Sequence, residues 1–247
     1  MEHFVTLFDH KFLPQGLALY DSLLEHLPEA KLWVLCMDDQ LEEQLKQLNL
    51  PNLEIVRLED VCSDEILQLK AERSQAEFCW TLTPYSFSYV FELDPSIQCL
   101  TYLDADIFFF KSPKILLDEL EVSGKEILIT EHAYDYKDDR TEKNGRFCVQ
   151  FLTISKTVDA LDILHSWQDQ CRECCSSNDS SGETFGDQKY LNEWPDLYEK
   201  TVHILEKKEE ALGPWNIEFF LNWMGRDHYP VLYHFHSMKK FHHHLTH

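Results

Sequence analysis

Thr101-Tyr102-Leu103-Asp104-Ala105-Asp106-Ile107-Phe108-Phe109-Phe110 is the stretch on which the fold turns. An apolar run ends on two carboxylates one residue apart, and a second apolar run follows at once. The pattern is a strand, a tight turn and another strand, with Asp-Ala-Asp at the turn. Carboxylates at the edge of a buried sheet are costly unless something pairs with them. A divalent cation is the natural partner, because hard oxygen ligands suit Mg²⁺ or Mn²⁺. The cation can in turn hold a diphosphate. The triplet alone is weak: 44 acidic residues give about one or two such triplets by chance. Its apolar flanks give it weight, against a competing reading as a solvated acidic turn.

Outward from this turn, strands alternate with helices. Residues 3–8 read as a strand, and Pro14 opens a helix to about Leu27. Residues 31–36 form a second strand. Asp39 caps a helix with Leu41, Leu45 and Leu48 on one face, and 53–57 is a third strand. Pro84 to Leu93 is a helix feeding the strand that ends at Asp104. A helix over 113–121, a strand over 127–130, a strand over 147–154 and a helix over 157–175 follow. Residues 231–235 make a final strand. This order predicts an α/β fold, a Rossmann-like, mixed but mostly parallel sheet flanked by helices, in a single domain over 1–247. The chain has only seven glycines and no Gly-rich phosphate loop. Asp135 to Asn144 is expected as a charged surface loop, and Ser176 to Gly182 as a flexible one beside Phe185-Gly186-Asp187-Gln188.

Composition narrows the function. The net charge of −22 argues against nucleic acid, which needs clustered Lys and Arg. It also argues against broad attraction to anionic membranes. Weak peripheral membrane contact is confined to a small basic C-terminal patch, Lys239, Lys240 and His242 to His244. No apolar run has membrane-spanning length, and the N-terminus enters a strand without a signal-like core. A cytoplasmic protein with reduced thiols is expected. Among the eight cysteines, Cys171, Cys174 and Cys175 lie at helical spacing with no matching second pair. They read as core residues rather than zinc ligands.

Three further stretches converge on Asp104 and Asp106: Gly186-Asp187-Gln188, Pro214-Trp215-Asn216, and Tyr233-His234-Phe235-His236 with Lys239 and Lys240 beyond. Strand alternation sends His234 and His236 to one face. A His beside two carboxylates is a plausible Mn²⁺ ligand set, and nearby lysines can neutralise a departing diphosphate.

Together these pieces, in this order along most of the chain, resemble the retaining nucleotide-sugar transferases of the GT-A fold. The likeness is to glycosyltransferase family eight, the glycogenin and bacterial lipopolysaccharide galactosyltransferase group. It rests on Val5 to Asp9, Tyr102 to Asp106 (the D-x-D motif), Phe147 to Phe151, Gly186 to Leu191, Pro214 to Asn216 and His234 to Ser237. The resemblance implies Asp104, Asp106 and His234 as metal ligands, with Ala105 beside the donor. It implies Thr6 and Asp9 on base and ribose, Arg73 toward a phosphate or sugar, and Lys239 or Lys240 on the pyrophosphate. Asp187 would hold donor-sugar hydroxyls and Gln188 would lie under the anomeric carbon. The resemblance implies a nucleotide sugar, a UDP-sugar, as donor and a glycan or glycolipid as acceptor. The chain departs from the pattern at Cys148-Val149-Gln150, where relatives carry Asn-Ala-Gly or Asn-Val-Gly, and at Ser237, where they carry Gly. Asp9 reads equally as a helix cap, Arg73 as an ion-pair residue, and His236 as a core hydrogen-bonding residue. The alternative function is a noncatalytic nucleotide-sugar or glycan-binding relative of this fold.

Overall fold

The computed structural model describes residues 1–178, 182, 184–225 and 227–238. Strands β1 (His3–Phe8), β2 (Lys31–Cys36) and β3 (Leu53–Arg57) are joined by helices α1 (Leu13–His26) and α2 (Asp39–Leu48). Helices α3 (Leu58–Val61), α4 (Asp64–Glu72) and α5 (Gln75–Leu93) lead into β4 (Cys99–Leu103) and β5 (Ile107–Phe109). Then come α6 (Lys114–Ser123), β6 (Ile127–Glu131), α7 (Thr141–Asn144), β7 (Phe147–Ser155) and α8 (Val158–Glu173). The chain continues through α9 (Trp194–Leu197), β8 (Val202–Ile204), β9 (Ala211–Leu212), α10 (Ile217–Met224) and β10 (Leu232–His234).

The main sheet has the order β3-β2-β1-β4-β7-β6-β8. Its strands run parallel except β7, which is antiparallel to both β4 and β6. A smaller sheet, β5-β10-β9, joins β5 antiparallel and β9 parallel to β10. Both faces of the main sheet are covered, which is why its strands read as nearly unbroken apolar runs. In β1, Val5 and Leu7 enter one core, with Phe78, Phe87 and Trp167. Phe4 and Phe8 enter the other, with Leu19, Leu23 and Leu116. Cys171 and Cys175 lie in the first core, and all eight cysteines are free.

Several boundaries differ from the sequence reading. Asp38, not Asp39, caps α2, accepting from the Leu41 N–H at 2.8 Å; Leu41 and Leu45 are buried while Leu48 is exposed. Helix α5 begins at Gln75, well before Pro84, which lies inside it. Ser74 and Glu77 close a reciprocal capping box there, and that start signal outweighs the proline. No helix among the described residues is long and apolar enough to cross a membrane.

Candidate active site

Strand ends build one wall of a cavity of about 780 Å³. β4 ends at Leu103, and the Asp104 N–H still donates to the Gln150 carbonyl of β7 at 3.1 Å. The turn then closes through the Ile107 N–H to the Asp104 carbonyl at 3.2 Å, and β5 starts. Pairing of His234 with Ile107 sets β10 beside that turn. The result brings His234 Nε2 to 3.0 Å from Asp106 Oδ1 and 3.7 Å from Asp104 Oδ2. Asp106, His234 and His236 place one ligand atom each within 4.8 Å of the others, and so do Asp104, Cys148 and His234. His236 lies beyond the end of β10, in a turn, yet still reaches this group.

His234 is buried, and its Nδ1 faces Gln150 Oε1 at 3.0 Å. The amide oxygen can only accept, so this contact fixes the proton on Nδ1 and leaves Nε2 for the carboxylates or a cation. Burial alone would lower the His234 pKa, but the Asp106 hydrogen bond and the charges of Asp104 and Asp106 outweigh it and raise it. Burial and the neighbouring Asp106 charge raise the Asp104 carboxyl, against the pull of His234. For Asp106 the order reverses: burial pushes up, but the His234 hydrogen bond wins and the carboxyl is lowered. Two carboxylates and an imidazole nitrogen with its second nitrogen anchored form a donor set that fits Mn²⁺ or Mg²⁺.

The Pro214-Trp215-Asn216 turn supports this wall. Asn216 accepts from the Gly213 N–H at 2.9 Å and donates to the His132 carbonyl at 2.8 Å. A Cβ at residue 213 would come within 2.6 Å of the Trp215 ring, so only glycine lets the indole lie here. That ring meets His234 and His132 edge-on, with centroids 5.2 and 5.1 Å apart. Burial pushes the His132 pKa down to about 4, so this ring packs as a neutral group.

The opposite wall is irregular chain. Gly186 takes a left-handed φ of +56°, and a Cβ there would touch Trp80 at 3.2 Å. This turn presents Asp187, buried and with its main-chain carbonyl held by Trp167 Nε1 at 2.8 Å. Burial raises the Asp187 carboxyl to about 7, against the opposing Thr83 hydrogen bond. Its Oδ2 has no hydrogen-bond partner among the described residues. Gln188 lines the cavity and donates from Nε2 to the Asn144 carbonyl at 2.6 Å.

The structure thus brings Asp9, Asp104, Ala105, Asp106, Asp187, Gln188 and His234 to one cavity. Asp9 also caps the turn after β1, accepting from the Lys11 and Phe12 N–H groups at 3.0 and 3.2 Å, and Gln75 donates to its other oxygen. Thr6 does not line the cavity: it is fully buried in β1, below Leu7 and Phe8, which do. Arg73 does not line it either. Its guanidinium donates to Thr81 and to the Cys171 and Arg172 carbonyls, at 2.7 and 2.5 Å for the carbonyls, and so caps the end of α8. Lys239 and Lys240 lie outside the described residues. The positive charge in the lining comes from Lys11, Arg140 and Lys143. The last two belong to the stretch expected as a charged surface loop; it is exposed over 136–143, and Arg140, Lys143 and Asn144 also border the cavity. Gln75, Trp80, His132 and Tyr134 also line the cavity and were missed in the sequence. For His132 and Tyr134 the available signal was their position just past the end of β6.

The sequence profile of glycosyl transferase family 8 matches residues 3–152. The chain belongs to glycosyl transferase family 8. A relative in Bacillus subtilis (strain 168), the uncharacterized protein YfnD, is 28% identical over 218 residues, covering 87% of this chain and 69% of YfnD. The solved galactosyltransferase LgtC, in complex with donor and acceptor sugar analogs, superposes with a TM-score of 0.61 at 13% identity, over 95% of this chain and 87% of LgtC. Mouse xyloside xylosyltransferase 1 gives a TM-score of 0.58 at 13% identity, over 96% of this chain and 98% of that one. The fold is therefore the GT-A type expected from the sequence, and the family makes the chain a glycosyltransferase.

Proposed function

We propose that this glycosyltransferase moves a sugar from a UDP-sugar to a glycan or glycolipid acceptor, with a divalent cation and with retention of anomeric configuration, within one domain over residues 1–247. The observation that carries the reading is the convergence of Asp104, Asp106 and His234 at the wall of a cavity of about 780 Å³, a volume in the range of small-molecule sites. Asp104, Asp106 and His234 would hold Mn²⁺ or Mg²⁺. When bound, the cation supplies Lewis-acid neutralisation of charge on the departing diphosphate. Asp9, with Gln75, borders the end of the cavity assigned to base and ribose. Lys11, Arg140 and Lys143 add positive charge beside the diphosphate, with Lys239 or Lys240 retained from the family pattern.

Asp187 holds donor-sugar hydroxyls, for which its unpaired Oδ2 is suited. Gln188 lies under the anomeric carbon. An amide is too poor a nucleophile for a covalent intermediate, so the acceptor oxygen attacks from the face the leaving group departs. The acceptor oxygen bonds to the anomeric carbon as the carbon–phosphate-oxygen bond breaks, and the acceptor proton passes to that phosphate oxygen. Peripheral contact with a membrane surface through the C-terminal lysines would serve a glycolipid acceptor, and the exposed Trp223 and Phe219 of α10 suit such a contact.

The test is thermal denaturation of the metal-stripped protein with UDP, GDP, CMP and dTDP, each with and without Mn²⁺. A ligand that binds only the folded state raises its stability. UDP should raise the melting temperature only with Mn²⁺, and Asp104→Ala should abolish the rise. No shift with any nucleotide overturns the donor assignment. Binding of UDP-sugars without donor hydrolysis or transfer would favour the noncatalytic relative.

A further inference from the structure

We propose that Cys148 gives this site a second, thiophilic ligand set. Asp104, Cys148 and His234 form a binding site for Zn²⁺ that overlaps the hard-cation set, so that Zn²⁺ displaces Mn²⁺ or Mg²⁺. The inference rests on the reading of Asp104 and His234 as cation ligands.

Alternation along β7 sends Cys148 and Gln150 to the same face. The main-chain contact between Asp104 and Gln150 brings that face against the Asp-Ala-Asp turn. A carboxylate oxygen of Asp104, the Cys148 sulfur and a ring nitrogen of His234 all lie within 4.8 Å of one another. His234 is common to this set and to the set with Asp106 and His236. One imidazole nitrogen serves one ion at a time, so the two sets compete.

Cys148 is buried but stands apart from the two apolar cores. Cys36, Cys171 and Cys175 are buried members of the two apolar cores. Cys148 is equally buried but belongs to neither, and it lines the cavity instead. Two further observations point to a ligand here. Gln150 anchors Nδ1 of His234 and leaves Nε2 directed at the carboxylates. Asp187, 2% exposed and lining the same cavity, keeps Oδ2 without a partner among the described residues.

Sulfur, nitrogen and oxygen donors with an open fourth position are the usual set for Zn²⁺. A thiolate favours Zn²⁺ or Co²⁺ strongly over Mg²⁺ and Mn²⁺. On binding, the thiol proton leaves to solvent and the sulfur takes the ion. The hard set, lacking sulfur, has no such preference.

Cobalt reports the sulfur directly. The metal-stripped protein is titrated with Co²⁺ and thiolate-to-cobalt charge-transfer absorption is recorded in the near ultraviolet. The wild type should show the band, Zn²⁺ should abolish it, and Cys148→Ser should lack it. Cys79→Ser, which removes another cavity-lining thiol, should retain it. Zn²⁺ affinity in Cys148→Ser should fall at least about tenfold, while Mn²⁺ affinity read by electron paramagnetic resonance is unchanged. Cys148→Ala repeats the measurement should the serine variant fail to fold. Co²⁺ bound without the band in the wild type, or a band that persists without Cys148, overturns this inference and leaves the hard-cation site standing. Failure of the wild type to bind either Co²⁺ or Mn²⁺ overturns both.

Discussion

The wall that carries Asp104, Cys148 and His234 is built on the sheet, whereas the wall that carries Asn144, Gly186 and Gln188 is made of connecting chain. On the first, position follows from register. Leu103 pairs with Phe151, His234 pairs with Ile107, and a slip of one residue would turn every side chain to the wrong face. On the second, position follows from single hydrogen bonds to side chains. Gln188 is tied to the Asn144 carbonyl, Lys189 to the Glu142 carbonyl at 2.7 Å, and Glu77 takes the Ser177 N–H at 3.0 Å. The residues proposed to hold the cation lie on the sheet, and those proposed to meet the donor sugar, Asp187 and Gln188, lie on connecting chain.

Three substitutions test this division. Asp106→Asn keeps the shape of the strand wall but removes a charge from the cation set. Turnover should fall at least about a hundredfold, as expected when several kcal/mol of charge stabilisation are lost, with little change in melting temperature without metal. Near-normal turnover would sink the assignment of Asp106.

Gln150→Leu removes the anchor of His234 without touching a ligand. Loss of such a partner typically costs about 10- to 100-fold in metal affinity, and Mn²⁺ titration calorimetry would read it. Unchanged affinity would mean that register alone orients the imidazole, and the strand wall would then be more rigid than argued.

Glu77→Gln acts on the connecting chain that leads to the loop wall, through Ser177. The Ser177 N–H, then the Ser74 hydroxyl and N–H, hold the Glu77 carboxyl down to about 2. A carboxyl lowered on folding contributes stability that is present above its ordinary range and is lost as pH falls through about 2. The variant should lose about 1 kcal/mol at neutral pH, the usual scale of a lost cap, and should converge with the wild type in strong acid. Cleavage by protease near Ser177 should rise, while Mn²⁺ affinity stays put. A coupled loss of Mn²⁺ affinity would show that the two walls are not independent.

The same division decides what could be read from the sequence. β1, β2 and β3 were legible to the residue, because each is a short, mainly apolar run with an abrupt end. Asp104, Asp106 and His234 were legible because polar side chains at the ends of such runs stand out. Gln150 was not, since an amide inside the run 147–155 carries no local mark of what it faces. The 135–144 stretch is exposed over 136–143 as its charge implied, but that charge gave no sign that Arg140, which spends bonds on Asp138 at 2.7 Å, also borders the cavity. Arg73 misled through its type, because an arginine before a helix fits a carbonyl cap as well as a phosphate. Helix α5 was cut short at Pro84, although Ser74-x-x-Glu77 marks its true start.

The small sheet has a consequence for synthesis. β10 pairs with β5 across about half of the chain, from Ile107 to His234, whereas β1 to β3 pair through short connections. Such distant pairing forms slowly, and during translation the earlier strands can associate while β10 is still unmade. Until it arrives, Asp104 and Asp106 face each other without His234. If Asp104, Asp106 and His234 hold a cation as proposed, that ligand set is completed only once β10 has been made and has paired with β5.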